Sequence, residues 1–135
     1  MASPAKRAAE RGARFSTPAE TVRAFASALG LGDLEAAIAC FAADSCFVTP
    51  DSTSVSGRGA IRGVLAQLIA QTTKISIESS STLFAGDVAF VNQHWQIRVG
   101  ASAHAAYLQP VSPVLVLRHE ESDWKLAVAA PWTRR

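Results

Sequence analysis

The sequence has few charged residues, few cysteines and no long apolar run. Charged residues make up 18% of its 135 residues and apolar residues 49%, the reverse of the composition that keeps a chain disordered. Two cysteines are too few for a disulfide scaffold or a zinc site with four cysteine ligands. The apolar runs stop far short of the ~20 residues that span a bilayer. What remains is a globular chain long enough for one hydrophobic core.

Basic residues concentrate at the ends of the chain. The formal net charge is +2, but residues 1–16 hold four basic residues against Glu10. We therefore predict a basic flexible tail over residues 1–16 and a single domain over residues 17–133. A nucleic-acid binder should interleave basic and aromatic residues on one folded face; this pattern is absent, so we predict no nucleic-acid partner. With no apolar export signal and no membrane-spanning run, we expect a cytoplasmic protein with no membrane partner.

The start of the chain carries helix signals. Thr17, Pro18 and Glu20 together are typical of a helix N-terminus, with Thr17 as the N-cap. Apolar residues then recur at helical spacing as far as Gly30, which we predict as the C-terminal cap. Asp33 predicts the N-cap of a second, short helix.

A strand, a loop and a third helix follow. The run 46–49 predicts a brief strand, and a Ser/Gly-rich loop comes after it, in which Asp51 is expected to cap the turn. Residues 60–71 carry an apolar stripe at helical spacing and predict the third helix.

The period of the apolar pattern changes in the second half. Four β-rich stretches cover residues 73–84, 88–99, 104–117 and 124–130. Pro110 and Pro113 predict a bulge or bend in the third of these strands, because proline cannot donate to a strand ladder. Helices followed by a four-stranded meander indicate an α+β fold, with the helices on one face of a curved antiparallel sheet.

Several segments of this order resemble the NTF2-like superfamily, and more narrowly the small bacterial proteins grouped with ketosteroid isomerase and the SnoaL polyketide cyclases. The segments are Gly-Asp-Leu-Glu at 32–35, Phe-Ala-Ala-Asp at 41–44, Gly-Arg-Gly-Ala-Ile-Arg at 57–62, and the closing hairpin of 114–118 and 124–126. The resemblance covers about residues 17–132. It implies a cystatin-like cone in which three N-terminal helices pack on a curved, mostly antiparallel sheet. It further implies a small organic molecule at the mouth and a homodimer formed through the sheet face.

The acids and the tyrosine of ketosteroid isomerase have no counterparts here. That enzyme uses an aspartate base with a tyrosine and a protonated aspartic acid as its oxyanion hole. By the resemblance, the tyrosine corresponds to Phe25, the base to Thr49, and the second acid to Ser112 or Pro113. None of these side chains performs the corresponding step, so this particular mechanism is not expected.

The direction in which the strand 88–98 faces decides the predicted site. The geometry of the family turns the even-numbered residues into the cone, so that His94 is the candidate catalytic acid–base, because imidazole titrates near neutral pH. A structural role for His94 is the alternative. The other orientation puts Trp95 and Ile97 inside; the odd-numbered set is more apolar, but we favour the family's orientation.

The predicted ligand site combines a polar wall with an apolar floor. The ligand-binding candidates are Thr49, Asn92, Gln96, Tyr107, Gln109, Phe25, Phe47, Val64 and Leu68. Core packing is the alternative for the four apolar members, and cross-strand packing for Tyr107. His94 and His104 lie on neighbouring strands, but a metal site needs more converging ligands, so neither a metal nor a cofactor is predicted.

Three functions fit these observations. The first is a SnoaL-like or isomerase-like enzyme that moves a proton on a carbonyl- or hydroxyl-bearing substrate through His94. The second is a non-catalytic binding module that keeps the pocket without the chemistry, which the missing acids favour. The third is an interaction protein that uses the sheet face or the basic tail.

Overall fold

Three helices and seven strands make up the part of the chain that the computed structural model describes, residues 15–49, 51–99 and 107–131. The helices are α1 (Pro18–Leu31), α2 (Leu34–Ala39) and α3 (Arg58–Gln71). The strands are β1 (Phe41–Val48), β2 (Ser54–Ser56), β3 (Thr72–Ala85), β4 (Val88–Val99), β5 (Tyr107–Val111), β6 (Val114–Glu120) and β7 (Asp123–Ala130). The predicted α+β order is confirmed.

The first two helices begin where the sequence predicts. The Thr17 hydroxyl accepts from the Glu20 N–H at 3.2 Å, and the Asp33 carboxylate accepts from the Ala36 N–H at 3.1 Å. The predicted cap at Gly30 is wrong, because α1 continues to Leu31 and ends at Gly32. Gly32 has φ 74°, and its N–H reaches the carbonyls of the last turn, a conformation that glycine adopts without strain.

The strands form one sheet in the order β2-β1-β7-β6-β4-β3, with β5 also paired to β4. All pairs are antiparallel except β1 with β7, which run parallel. The predicted strand at 46–49 is too short, since β1 begins at Phe41. Its early part pairs with the distant strand β7, in the register Phe41 opposite Leu126, and no local sequence pattern reveals that pairing.

The predicted third β-rich stretch divides into β5 and β6, with Ser112 and Pro113 between them. The bend expected at Pro113 is therefore confirmed, because the chain leaves the ladder where that proline offers no N–H. The bulge or bend expected at Pro110 is wrong, because Pro110 lies within β5, opposite Gln96, and the register between β4 and β5 continues through it without a shift.

The core lies between the helices and the inner face of the sheet. Its largest fully buried side chains include Trp95, Phe25, Phe41, Phe47 and Leu29. Phe15, which the sequence places in the tail, is also buried, and its carbonyl accepts from the Trp124 N–H at 2.9 Å. Ser16, also in the predicted tail, is exposed and its hydroxyl donates to the Glu20 carboxylate at 2.9 Å. Residues 1–14 lie outside the described residues. None of the described helices has the length and apolar character needed to span a bilayer.

Candidate functional site

A cleft of about 370 Å³ opens between helix α3 and the segment that joins β1 to β2. Its lining residues come from that segment and from one face of the helix: Thr49, Asp51, Thr53, Val55, Val64, Gln67 and Leu68. This volume is at the small end of the range for ligand pockets, roughly 300–1,000 Å³. Three of the predicted ligand residues, Thr49, Val64 and Leu68, lie together here.

The helical wall of the cleft follows from the spacing on α3. Val64, Gln67 and Leu68 are three and four residues apart, so they share one face of the helix. Ile61 and Leu65 are both 0% exposed and occupy the face that packs into the core. One face of α3 therefore packs into the core. The neighbouring face lines the cleft with two apolar side chains and one amide.

The opposite wall is held by a hydrogen-bonded turn. The Thr49 hydroxyl donates to the Asp51 carboxylate, and the Thr53 N–H donates to the Thr49 hydroxyl at 3.1 Å and to the same carboxylate at 3.3 Å. The Thr49 N–H in turn donates to the Thr53 carbonyl at 2.8 Å. The predicted role of Asp51 as the cap of this turn is confirmed.

These bonds also set the chemistry of the carboxylate. The hydrogen bond from the Thr49 side chain, followed by those from Thr53, lowers the pKa of Asp51 below its ordinary value. A carboxylate held in its charged form by donors is a weaker base than an unbonded one. Asp51 is the titratable residue among those that line the cleft. The cleft is therefore better suited to hydrogen-bonding a ligand than to accepting a proton from it.

Two predicted floor residues belong to the core. Phe25 and Phe47 are 0% exposed, and each packs against Phe41, with ring centroids 5.3 Å and 6.2 Å away. Their side chains are covered on all sides, so they support the fold and offer no surface to a molecule in the cleft. This is the core role considered above as their alternative.

The predicted orientation of β4 is wrong. Val91, Trp95 and Ile97 are 0% exposed and face the helices, whereas Asn92 is exposed and His94 and Gln96 are half-buried on the opposite face. The physical reason is the larger apolar area of the odd-numbered set, whose burial contributes more free energy. His94 therefore lies away from the cone interior on which its predicted catalytic role depends, and that role stays a prediction.

The inner face of β4 nevertheless contains one buried polar side chain, that of Gln93. Gln93 is 2% exposed. Its carbonyl oxygen accepts from the Trp95 indole N–H, and its amide donates to the Ser80 hydroxyl at 3.0 Å. Both ends of the amide are satisfied, which removes the cost of its burial. The small network is a feature of the core.

The remaining predicted residues fall on the edge of what the structure describes. Tyr107 and Gln109 lie in β5, opposite Val99 and Ile97 of β4, but their side chains are outside the described residues, as is His104. Within residues 15–49, 51–99 and 107–131, no group of three His, Cys, Asp or Glu side chains converges as a metal site would require.

Four cleft residues are not among the predicted ligand residues: Asp51, expected only as the cap of the turn, and Thr53, Val55 and Gln67. Gln67 carries a usable signal, since it lies three residues after Val64 and next to Leu68 on a predicted helix. Val55 gives no such signal, because the three-residue strand β2 sits in a Ser/Gly-rich stretch that is typical of a loop.

A curved sheet covered by helices, with a cleft at one end, defines a protein of the cystatin-like, NTF2-like fold class. Residues 19–129 match the SnoaL-like domain family model. The chain belongs to that family, as the resemblance implied. No curated protein sequence matches it.

Solved structures with the same fold come from several bacteria. A candidate dehydratase of the NTF2-like family from Streptomyces avermitilis is 24% identical, with a TM-score of 0.71, covering 82% of this chain and 91% of that one. A Catenulispora acidiphila protein with a ketosteroid isomerase-like fold, in complex with trimethylamine, is 21% identical, with a TM-score of 0.65 and 87% coverage of both chains.

A third solved structure is also similar to this chain. It is a candidate association domain of calcium/calmodulin-dependent protein kinase type II from Thiobacillus denitrificans, 18% identical, with a TM-score of 0.72, covering 88% of this chain and 98% of that one. At these identities the likenesses establish the fold alone, which hosts many functions.

Proposed function

We propose that the protein binds a small, neutral organic molecule in the cleft between α3 and residues 49–55, and that it does so without catalysing a reaction. The observation that carries this proposal is the composition of the cleft. Val55, Val64 and Leu68 supply apolar surface, while the Gln67 amide and the threonine hydroxyls supply hydrogen bonds. Such a mixture suits a compact ring that carries one carbonyl or hydroxyl group.

A binding role is better supported than proton transfer. The Asp51 carboxylate is engaged by donors that lower its pKa, and His94 lies on the other face of the sheet from the core. A general base must reach the proton that it removes. The enzyme hypothesis therefore lacks a group in the cleft with a suitable pKa, although the solved structures of the same fold include a candidate dehydratase and a protein with a ketosteroid isomerase-like fold.

Matched ring compounds test the cleft directly. We expect 1-indanone and 1-indanol to give saturation-transfer NMR signals, and the hydrocarbon indane to bind more weakly because it cannot use the polar groups. Leu68→Trp fills the cleft and should lower the affinity for 1-indanone at least tenfold, whereas Ala66→Trp, at an exposed position of the same helix, should leave it unchanged. Equal binding by the two variants would place the compound elsewhere. Recovery of a chemically altered indanol would favour the enzyme.

We also propose that the protein is a homodimer that associates through the outer face of its sheet. In support, the registers place a group of apolar side chains together on that face: Leu83, Val88, Phe90, Val114, Val116 and Val128. Leu83 is 67% exposed, Val88 42% and Phe90 36%, which is a large apolar area for a monomer to leave in water.

The dimer is tested by a charge at the centre of this apolar group. Phe90→Asp should give a monomer by light scattering at concentrations where the unmodified protein is a dimer, because a buried carboxylate without a partner opposes association. Ala66→Asp, at an exposed position of α3 away from this face, serves as the control. If Phe90→Asp retains the dimer mass, the contact lies elsewhere.

Both cysteines are thiols, in keeping with the cytoplasm as the proposed compartment.

A further inference from the structure

A second cleft, of about 390 Å³, opens beside the turn that joins β6 to β7. It is lined by one small apolar side chain and five charged ones: Ala43, Arg58, Glu120, Glu121, Asp123 and Lys125. It shares no lining residue with the cleft at α3, and none with the apolar group on the outer face of the sheet. Its charged lining suits a different kind of ligand from the neutral molecule proposed for the first cleft.

The two cations of this second cleft are held where α2 ends and β1 begins. The Arg58 Nε donates to the Phe41 carbonyl at 3.0 Å, and a terminal nitrogen of the same guanidinium donates to the same oxygen. The Lys125 ammonium donates to the Ala39 carbonyl at 2.8 Å. In the described part of the chain neither cation forms an ion pair. Both keep N–H donors for a ligand, because a guanidinium has five N–H groups and an ammonium three.

Two of the three acids at the turn are short of partners. Glu120 pairs with Arg118 at 2.9 Å, but Glu121 and Asp123 form no ion pair with any residue that the structure describes. The Oδ1 atom of Asp123 is buried and accepts no hydrogen bond from those residues. A carboxylate that is partly shut off from water is stabilised by an added positive charge. An ammonium group in the cleft would supply that charge.

The register of the hairpin leaves one charge of each sign without a cross-strand counterpart. Like charges face each other, with Lys125 opposite Arg118 and Asp123 opposite Glu120, an arrangement that is unfavourable in a sheet. Arg118 bonds to Glu120, so Lys125 and Asp123 remain. They are two residues apart on β7 and share a face, with Cα atoms about 6.6 Å apart. An ammonium and a carboxylate on one carbon atom are close enough together to contact both.

We propose that this cleft binds a small zwitterion of the α-amino acid type, its ammonium at Asp123 and Glu121 and its carboxylate at Lys125 and Arg58. The free charges of the lining balance, so a ligand with one charge of each sign is favoured over a simple anion or a simple cation, which meets a like charge. Water reaches Arg58 and Glu121, so the binding is weak and falls as salt rises. It is independent of binding in the first cleft.

Matched ligands test the charge pattern. In two-dimensional amide NMR spectra of the isotope-labelled protein, L-alanine should shift the signals of residues 43 and 120–125 in a saturable way. N-acetyl-L-alanine lacks the ammonium, L-alanine amide lacks the carboxylate, and 6-aminohexanoate holds its two charges far apart. Each should bind about fivefold more weakly or worse, because each loses an ion pair. Equal affinity for L-alanine and these compounds, or no saturable shift with L-alanine, overturns the proposal.

Charge removal tests the two ends of the zwitterion separately. Asp123→Asn and Lys125→Gln should each weaken L-alanine binding about fivefold. Asp87→Asn and Lys74→Gln make the same changes at exposed positions outside the cleft and should leave the binding unchanged. The amide spectrum of each variant also shows that it is folded. Unchanged affinity in both cleft variants, or shifts confined to the first cleft, would place the ligand elsewhere and overturn the assignment.

Discussion

The two faces of β4 use polar side chains in different ways. On the inner face, the amide of Gln93 is 2% exposed and is held at both ends by Trp95 and Ser80. On the outer face, Asn92 is exposed and His94 is half-buried, and the apolar residues Val88 and Phe90 of the same face are exposed too. The inner face tolerates a polar group because its hydrogen bonds are satisfied, whereas the outer face tolerates them because water reaches them.

The neighbours Trp95 and His94 give the largest contrast between these faces. Trp95→Ala should lower the free energy of unfolding by about 3–5 kcal/mol, because it leaves a cavity in the core. His94→Ala, one residue away on the other face, should change it by less than about 1 kcal/mol. Urea unfolding followed by circular dichroism measures both. Comparable losses in the two variants would show that the faces do not differ as described.

The Gln93 network sharpens the comparison within the inner face. Gln93→Leu should cost about 1–3 kcal/mol, because the Trp95 indole N–H and the Ser80 hydroxyl lose their partner. Replacing Trp95 by Phe in the same chain should recover part of this loss, since one unsatisfied donor is then removed. A double-mutant cycle in urea measures the coupling, with Asn92→Leu as the outer-face control. Strictly additive losses would mean that the hydrogen bond contributes nothing.

Asp51 extends the comparison to an exposed polar group, and the expected effect is the smallest. Its pKa is lowered from the ordinary 3.8 by bonds from Thr49 and Thr53, so its contribution to stability is present above about pH 4 and is lost as pH falls through the lowered pKa. Asp51→Ala should reduce the melting temperature by about 1–2 °C at pH 7 and by less at pH 2.5.

The ion pairs of Glu35 and Asp44 should not affect the difference in melting temperature between the Asp51→Ala variant and the unmodified protein. The pKa values of Asp44 and Glu35 are lowered by hydrogen bonds from Arg118 and Arg62, but these pairs are the same in both chains and cancel in the difference. A gap in melting temperature that stays constant from pH 7 to pH 2.5 would contradict a role for the Asp51 charge.

Local signals in the sequence predict the elements well, because they act over a few residues. The side chains of Thr17 and Asp33 cap their own helices, and the apolar stripe of α3 reaches a core position at Leu65. The early part of β1 could not be found in this way, because its partner β7 lies near the other end of the chain.

The site was predicted less completely than the fold. Thr49, Val64 and Leu68 lie in the cleft, but the orientation of β4 was taken from the family against the apolar pattern of this chain. Counting the buried area available to Trp95 and Ile97 would have given the observed face. The place of Val55 in the cleft could not be predicted from local sequence. Val55 lies in a short strand within a Ser/Gly-rich segment, and that strand forms by pairing with β1, where Val55 is opposite Phe47.

The parallel pairing of β1 with β7 has a consequence for how the chain is made. The last strand sits between the first strand and β6, and it also bonds to the start of α1, where the Thr21 hydroxyl donates to the Trp124 carbonyl at 2.8 Å. During synthesis from the N-terminus, the pair of β1 and β2 has no link to the rest of the sheet until β7 leaves the ribosome. Folding of this protein is therefore a late event in translation, governed by contacts of long sequence separation.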